Sequence, residues 1–246
     1  MKHQAVSWAI ACKGVQQLDI RMPPSVTFLV AETCLLASAL IPLRWVRGSC
    51  PKIATKLARI NNCGYACANL LFLPAAVAVL LPHLLHEETW SNGLPLSERI
   101  DVTLGIYFYS KAWEFLDIAL VSLMGIQPNL HFMVHHVSTP CLAWLIWTFR
   151  SASGALFLQA NVLMHIVLYA YFGGARSQLV LHFTRVCGHL QLTLGIIGST
   201  LVLRNKLRVD LLDGSVLAEG GLLLLYLTYL ALLRLELAED RKTKAT

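Results

Sequence analysis

Apolar residues recur along this chain in stretches long enough to cross a bilayer, which takes about 20 mostly apolar residues in helical form. Seven such stretches fall near 26–43, 65–85, 102–124, 130–149, 156–172, 183–203 and 216–233, each bounded by charge, Gly or Pro. The pattern predicts an all-α integral membrane bundle of about seven transmembrane helices. It forms one unit over 1–246, because the spans leave no room for a separate soluble domain. Residues 1–25 are mixed and polar, close on Pro23 and Pro24, and lack the layout of a cleavable signal peptide, so the first span is expected to direct insertion.

Composition agrees. The chain is 56% hydrophobic and 14% charged, with mean hydropathy +0.60, against about 45–50% apolar residues in a soluble domain. A net charge of +6 does not imply nucleic acid, since Lys and Arg gather at the ends of apolar runs, where they set topology. Arg44, Arg47, Lys52, Lys56 and Arg59 follow the first span and place that loop in the cytosol. The N-terminal segment 1–25 is then lumenal and the basic tail 236–246 cytosolic, although Arg204, Lys206 and Arg208 fall on the lumenal side against this trend. Lys242 and Lys244 stand fifth and third from the end, the pattern of a lysine-based retrieval signal, so the expected location is the endoplasmic reticulum membrane, multi-pass. Seven Cys, four of them within spans, read as buried thiols and not as a disulfide framework.

Polar residues inside the spans carry the chemistry, since hydrocarbon tolerates them only against other helices or a wet cavity. The third span holds Lys111, Glu114 and Asp117, each costing about 2.5–3.5 kcal/mol at the bilayer centre, and Glu114 can reach both neighbours. The fourth opens with His131, His135 and His136; the first two share a face and the third points about 100° away. Imidazoles serve as nucleophile, base or ligand. In the fifth, Asn161 and His165 lie one turn apart, followed by Tyr169 and Tyr171, and the sixth carries Gln191. The expected topology brings these residues to one depth, around a single cytosol-facing active-site cavity.

Their order and spacing resemble the very-long-chain fatty acid elongase family. Lys111, Glu114 and Asp117 match its Lys-x-x-Glu-x-x-Asp-Thr segment. His135 and His136 match the paired end of His-x-x-His-His, and Asn161, His165, Tyr169 and Tyr171 match Asn-x-x-x-His running into Tyr-x-Tyr-Tyr. Departures are Ile118 for Thr, Phe132 where the first His belongs with His131 one residue early, Phe172 for the last Tyr, and Gly188 and Leu194 around Gln191 in the final Thr-x-x-Gln-x-x-Gln element.

The resemblance implies condensation of a long-chain acyl-CoA with malonyl-CoA, giving 3-ketoacyl-CoA, carbon dioxide and CoA, with no cofactor and no metal. It implies that His135 is the acyl-accepting nucleophile, with His136 and His165 orienting thioesters or stabilising the enolate, and Asn161 donating to a carbonyl. Asp117 completes the catalytic set, and Lys111, Glu114, His131, Tyr169, Tyr171 and Gln191 support it or bind substrate. The implied partners are the two CoA substrates, membrane lipid, and the reductases and dehydratase of an elongation cycle, with no nucleic acid. Two other readings stand beside it: a non-catalytic elongase-like scaffold, which the altered His box and Gln element suggest, and a di-iron desaturase or hydroxylase. The second needs roughly eight imidazoles in several boxes, and this chain has nine His but one paired box.

Overall fold

The computed structural model describes residues 46–208 and 214–245, with 240–245 described as backbone only. The expected first span and the segment 1–25 lie outside the described residues. Every regular element among those described is a helix: α1 (Pro51–Leu84), α2 (Thr89–Asn92), α3 (Glu98–Trp113), α4 (Phe115–Leu123), α5 (Leu130–Thr148), α6 (Ala152–Gly173), α7 (Gln178–Arg208) and α8 (Gly214–Ala245). Helices α1, α6 and α7, and Gly214–Glu239 of α8, are each long and apolar enough to cross a membrane. The protein is an all-α membrane bundle.

Three boundaries differ from the expected spans. Helix α1 begins at Pro51, not near 65; its 34 residues reach about 51 Å, well beyond a hydrocarbon core of about 30 Å. Its first turns carry Lys52, Lys56 and Arg59, so a charged segment that reads as loop is a helix projecting out of the apolar layer. Pro51 suits this start, where a missing N–H costs nothing. Likewise α8 continues through the expected tail to Ala245. The third span is two helices that meet at Glu114.

Packing runs from α1 to α6, α7, α8, α5 and α3 in turn, and α1 closes the circuit by touching both α3 and α4. These helices thus form a ring among the described residues. Small residues allow the closest approaches. A Cβ added to Gly195 would lie 2.9 Å from the Tyr226 ring, and one on Gly173 would lie 2.8 Å from Cys63 Sγ. Cys187 is buried, but Cys50, Cys63 and Cys67 are exposed, contrary to the buried thiols expected at 63 and 67. Cys63 lies along the seam of α1 with α6, its sulfur 3.6 Å from the Gly173 carbonyl oxygen.

At the end of the ring where α3 and α6 begin, a loop clamp joins the hairpins. Arg150 takes a left-handed conformation (φ 49°), pairs with Asp101 at 2.5 Å and donates to the Pro95 carbonyl at 2.8 Å. At the same end lies a buried polar cluster that no sequence pattern announces. Glu219, 3% exposed, accepts hydrogen bonds from Ser151 and, at 2.7 Å, from Ser153, whose hydroxyl also lies 3.0 Å from that of Ser199. Lys206, one of the three basic residues at odds with the topology, is itself buried and donates to Ser215 at 2.6 Å.

Candidate active site

Every wall of the ring contributes to a second polar cluster inside it, near the end where α5 begins. Its centre is the α3–α4 junction. Lys111 and Glu114 are each 1% exposed, and Lys111 Nζ lies 2.6 Å from Glu114 Oε1. The Asp117 amide donates to the Glu114 carbonyl three residues back at 3.1 Å, a tighter bond than the α-helical one, and the helix breaks there. The break changes the angular spacing of Glu114 and Asp117, so the two carboxylates serve different imidazoles.

Lys111 also donates to Asn161 Oδ1 at 2.9 Å, where Tyr107 OH donates as well at 3.1 Å. Asn161 Nδ2 donates to Gln191 Oε1 at 2.9 Å, which fixes the amide and brings in α7. Asn161, 1% exposed, therefore has its acceptor fully engaged and one N–H left over.

Glu114 Oε1 lies 3.4 Å from His165 Nδ1 and accepts from Tyr65 OH at 3.1 Å. Glu114 Oε2 and His165 Nδ1 are buried without a hydrogen-bond partner, so this corner holds polar atoms whose bonding capacity is unspent. His135 joins the corner: Glu114, His135 and His165 each bring one potential ligand atom within 4.8 Å of the others. Three such donors with an open position suit a catalytic metal in principle. The Lys111 ammonium, however, already neutralises Glu114 and would repel a divalent ion, so the set reads as an ion-paired polar cluster. The ring of His135 lies 5.1 Å from that of Tyr229 on α8 and 5.5 Å from that of His136.

Asp117 serves the other imidazole. It accepts from Tyr169 OH at 2.5 Å and from Asn61 Nδ2 at 3.0 Å, and its Oδ2 lies 3.7 Å from His136 Nε2. His136 Nδ1 faces the Phe132 carbonyl at 2.9 Å. A carbonyl only accepts, so Nδ1 carries the proton and the backbone fixes this part of the tautomer. Phe132, standing where the family motif has His, packs its ring 4.0 Å from that of His136.

Lys111, Glu114, Asp117, His135, His136, Asn161, His165, Tyr169 and Gln191 are thus brought together. His131 stands at the margin, its ring 6.1 Å from that of His135, and Tyr171 lies outside. His131 Nδ1 turns to Glu236 Oε2 on α8 at 2.7 Å, and that carboxylate also receives Asn129 Nδ2 at 2.9 Å. Asn129 caps regular helix, accepting from the Phe132 amide at 2.7 Å, so the start of α5 is not loosened to let His131 replace the missing His. Tyr171 meets the ring of Phe172 edge-on instead. Sequence reasoning missed Asn61, Tyr65, Tyr107 and Tyr229; the available signal was polar side chains at helical spacing, Asn61 with Tyr65 and Tyr107 with Lys111.

A ring of membrane helices gathering histidines around a buried ion pair defines a multi-pass membrane protein with a buried cluster of imidazoles and carboxylates. The chain belongs to the ELO family, described as GNS1/SUR4, whose model matches residues 24–235. Among curated proteins it is similar to a protein named fatty acid elongase 2 from Trypanosoma brucei brucei, at 26% identity over 44% of this chain and 41% of the relative. A protein of the same name from Trypanosoma cruzi is 29% identical over 28% of this chain and 25% of the relative. The matched stretches thus span less than half the length of either relative. No solved structure matches.

Proposed function

We propose that this protein acts in fatty acid elongation as the condensing enzyme, joining a long-chain acyl-CoA to malonyl-CoA. The observation that carries the reading is the convergence of His135, His165 and the Lys111–Glu114 pair at one buried corner with unspent polar atoms. In a chain of the ELO family, that corner is where an acyl group would be taken and passed on.

An unprotonated nitrogen of His135 attacks the thioester carbonyl and forms an N-acyl bond as the C–S bond breaks. The CoA thiolate leaves with the proton of the imidazolium. Malonyl-CoA then loses its carboxylate as carbon dioxide, and the electron pair of that C–C bond becomes an enolate. Its carbon attacks the acyl group, and His135 leaves and takes up a proton. The product is a 3-ketoacyl-CoA two carbons longer, with one proton consumed overall. Splitting the transfer in this way replaces one difficult step by two easier ones.

His165, beside Glu114, and the free N–H of Asn161 are placed to stabilise the oxyanion or enolate. Asp117 orients His136, and Tyr169 holds Asp117. In this reading the cavity opens to the cytosol, the protein resides in the endoplasmic reticulum membrane, and the product passes to the reductases and dehydratase of the cycle. A di-iron centre is less well supported, because Glu114, His135 and His165 make the one trio of metal-capable side chains this close among the described residues.

The test is to incubate the purified protein in detergent with a panel of acyl-CoAs and malonyl-CoA, without reductant or added iron, and to look for 3-ketoacyl-CoA by mass spectrometry. A product that disappears in His135→Ala supports condensation and names the chain length. No product from any acyl-CoA, with folded protein, favours the non-catalytic scaffold.

A further inference from the structure

We infer that Asn61 and Tyr65, on a helix outside every stretch that resembles the family motifs, are positioning residues that hold the two site carboxylates each against its own histidine. This rests on the condensing reading above. One turn apart on α1, they meet the two ends of the α3–α4 break: Asn61 donates to Asp117 at 3.0 Å and Tyr65 to Glu114 at 3.1 Å. Each carboxylate in turn faces one imidazole, Asp117 facing His136 and Glu114 facing His165. Two parallel lines therefore run from α1 to the reaction centre.

Both donors are themselves fixed. Trp113 Nε1 donates to Asn61 Oδ1 at 2.8 Å, which turns the Asn61 amide nitrogen toward Asp117. The Tyr65 ring, 7% exposed, packs edge-on against Tyr169 at 4.5 Å and lies 5.8 Å from the ring of His165. Among the described residues its hydroxyl meets the Ser110 carbonyl at 3.2 Å and Glu114. A phenylalanine would fill the same space, so the hydroxyl answers to the carboxylate and not to packing. Polar groups on a membrane helix are costly where apolar ones fit, which is why an inward Asn and Tyr at one-turn spacing point to the site.

Two double-mutant cycles and one spectrum test this. Tyr65→Phe and Asn61→Ala are each expected to lower kcat about tenfold with KM for both CoA substrates unchanged. In the Glu114→Gln and Asp117→Asn backgrounds, respectively, the further loss should be under about twofold, because groups acting as a unit are non-additive. Additive losses, or a rise in KM at constant kcat, would overturn the proposal. The second measurement needs no turnover: spectra of ¹⁵N-histidine-labelled protein in detergent, assigned by single His substitutions. Tyr65→Phe should move the His165 signals and leave those of His136, and Asn61→Ala should do the reverse. Equal shifts at both histidines, or none, would overturn the proposal even if the wild type makes no 3-ketoacyl-CoA.

Discussion

The ring holds two buried polar clusters that share a helix and differ in kind. Ser153 and His165 are twelve residues apart on α6, about 18 Å at the helical rise. At one end, Glu219 has both oxygens engaged by serine hydroxyls, and the group is complete without any other molecule. At the other, an ion pair and imidazoles leave Glu114 Oε2 and His165 Nδ1 buried with nothing to bond. An unmatched buried polar atom costs about 1–3 kcal/mol, so it persists where another requirement holds it. Saturation fits the first cluster to a fastening role; the deficit at the second, which Trp147 Nε1, Thr148 Oγ1 and Tyr226 OH share elsewhere in the ring, fits the proposed chemistry through the ion pair and imidazoles beside it.

This contrast can be broken or sharpened by substitution. The largest effect is expected from His135→Ala, which removes the proposed acyl acceptor and should lower 3-ketoacyl-CoA formation by about 10³-fold with little change in thermal unfolding. Next comes Lys111→Ala. It strands Glu114 in the interior, and breaking a buried pair this way costs about 3–5 kcal/mol, read as a fall in the detergent-solubilised unfolding midpoint together with lost turnover. Glu219→Ala leaves the Ser151 and Ser153 hydroxyls without their acceptor and should cost about 1–3 kcal/mol of stability while kcat stays within twofold. A loss of turnover there comparable to that of Lys111→Ala, in folded protein, would erase the distinction. The smallest effect is expected from His131→Ala: its pair with Glu236 is partly exposed (side chains 22% and 37%), so stability should change by under about 1 kcal/mol and the rate by less than twofold.

Much of the buried histidine cluster was legible because its members are polar residues inside apolar runs. Lys111 with Glu114 and Asn161 with His165 each announce a face locally, and the adjacent His135 and His136 announce two. The Glu219 cluster was not legible, since Ser151, Ser153, Ser199 and Glu219 are common residues drawn from three segments with no local rhythm. The same limit hid Asn61 and Tyr65, whose partners lie some fifty residues further along the chain. His131 shows what local spacing leaves out: periodicity put it on the face of His135, and its ring lies 6.1 Å from that ring, but its Nδ1 turns to a carboxylate of α8, 105 residues away. The all-helical bundle followed from hydropathy alone. The early start of α1 did not, because a charged helix end and a charged loop have the same composition.

The contact of α1 with α6 at Gly173 also supplies a built-in chemical gauge. Cys63 is exposed, yet its sulfur lies 3.6 Å from the Gly173 carbonyl oxygen, between the turns that carry Asn61 and Tyr65. The rate at which a small alkylating reagent caps this thiol therefore reports how tightly the two helices are shut, and adding a long-chain acyl-CoA during the reaction would time any parting of that seam without a label being engineered into the protein.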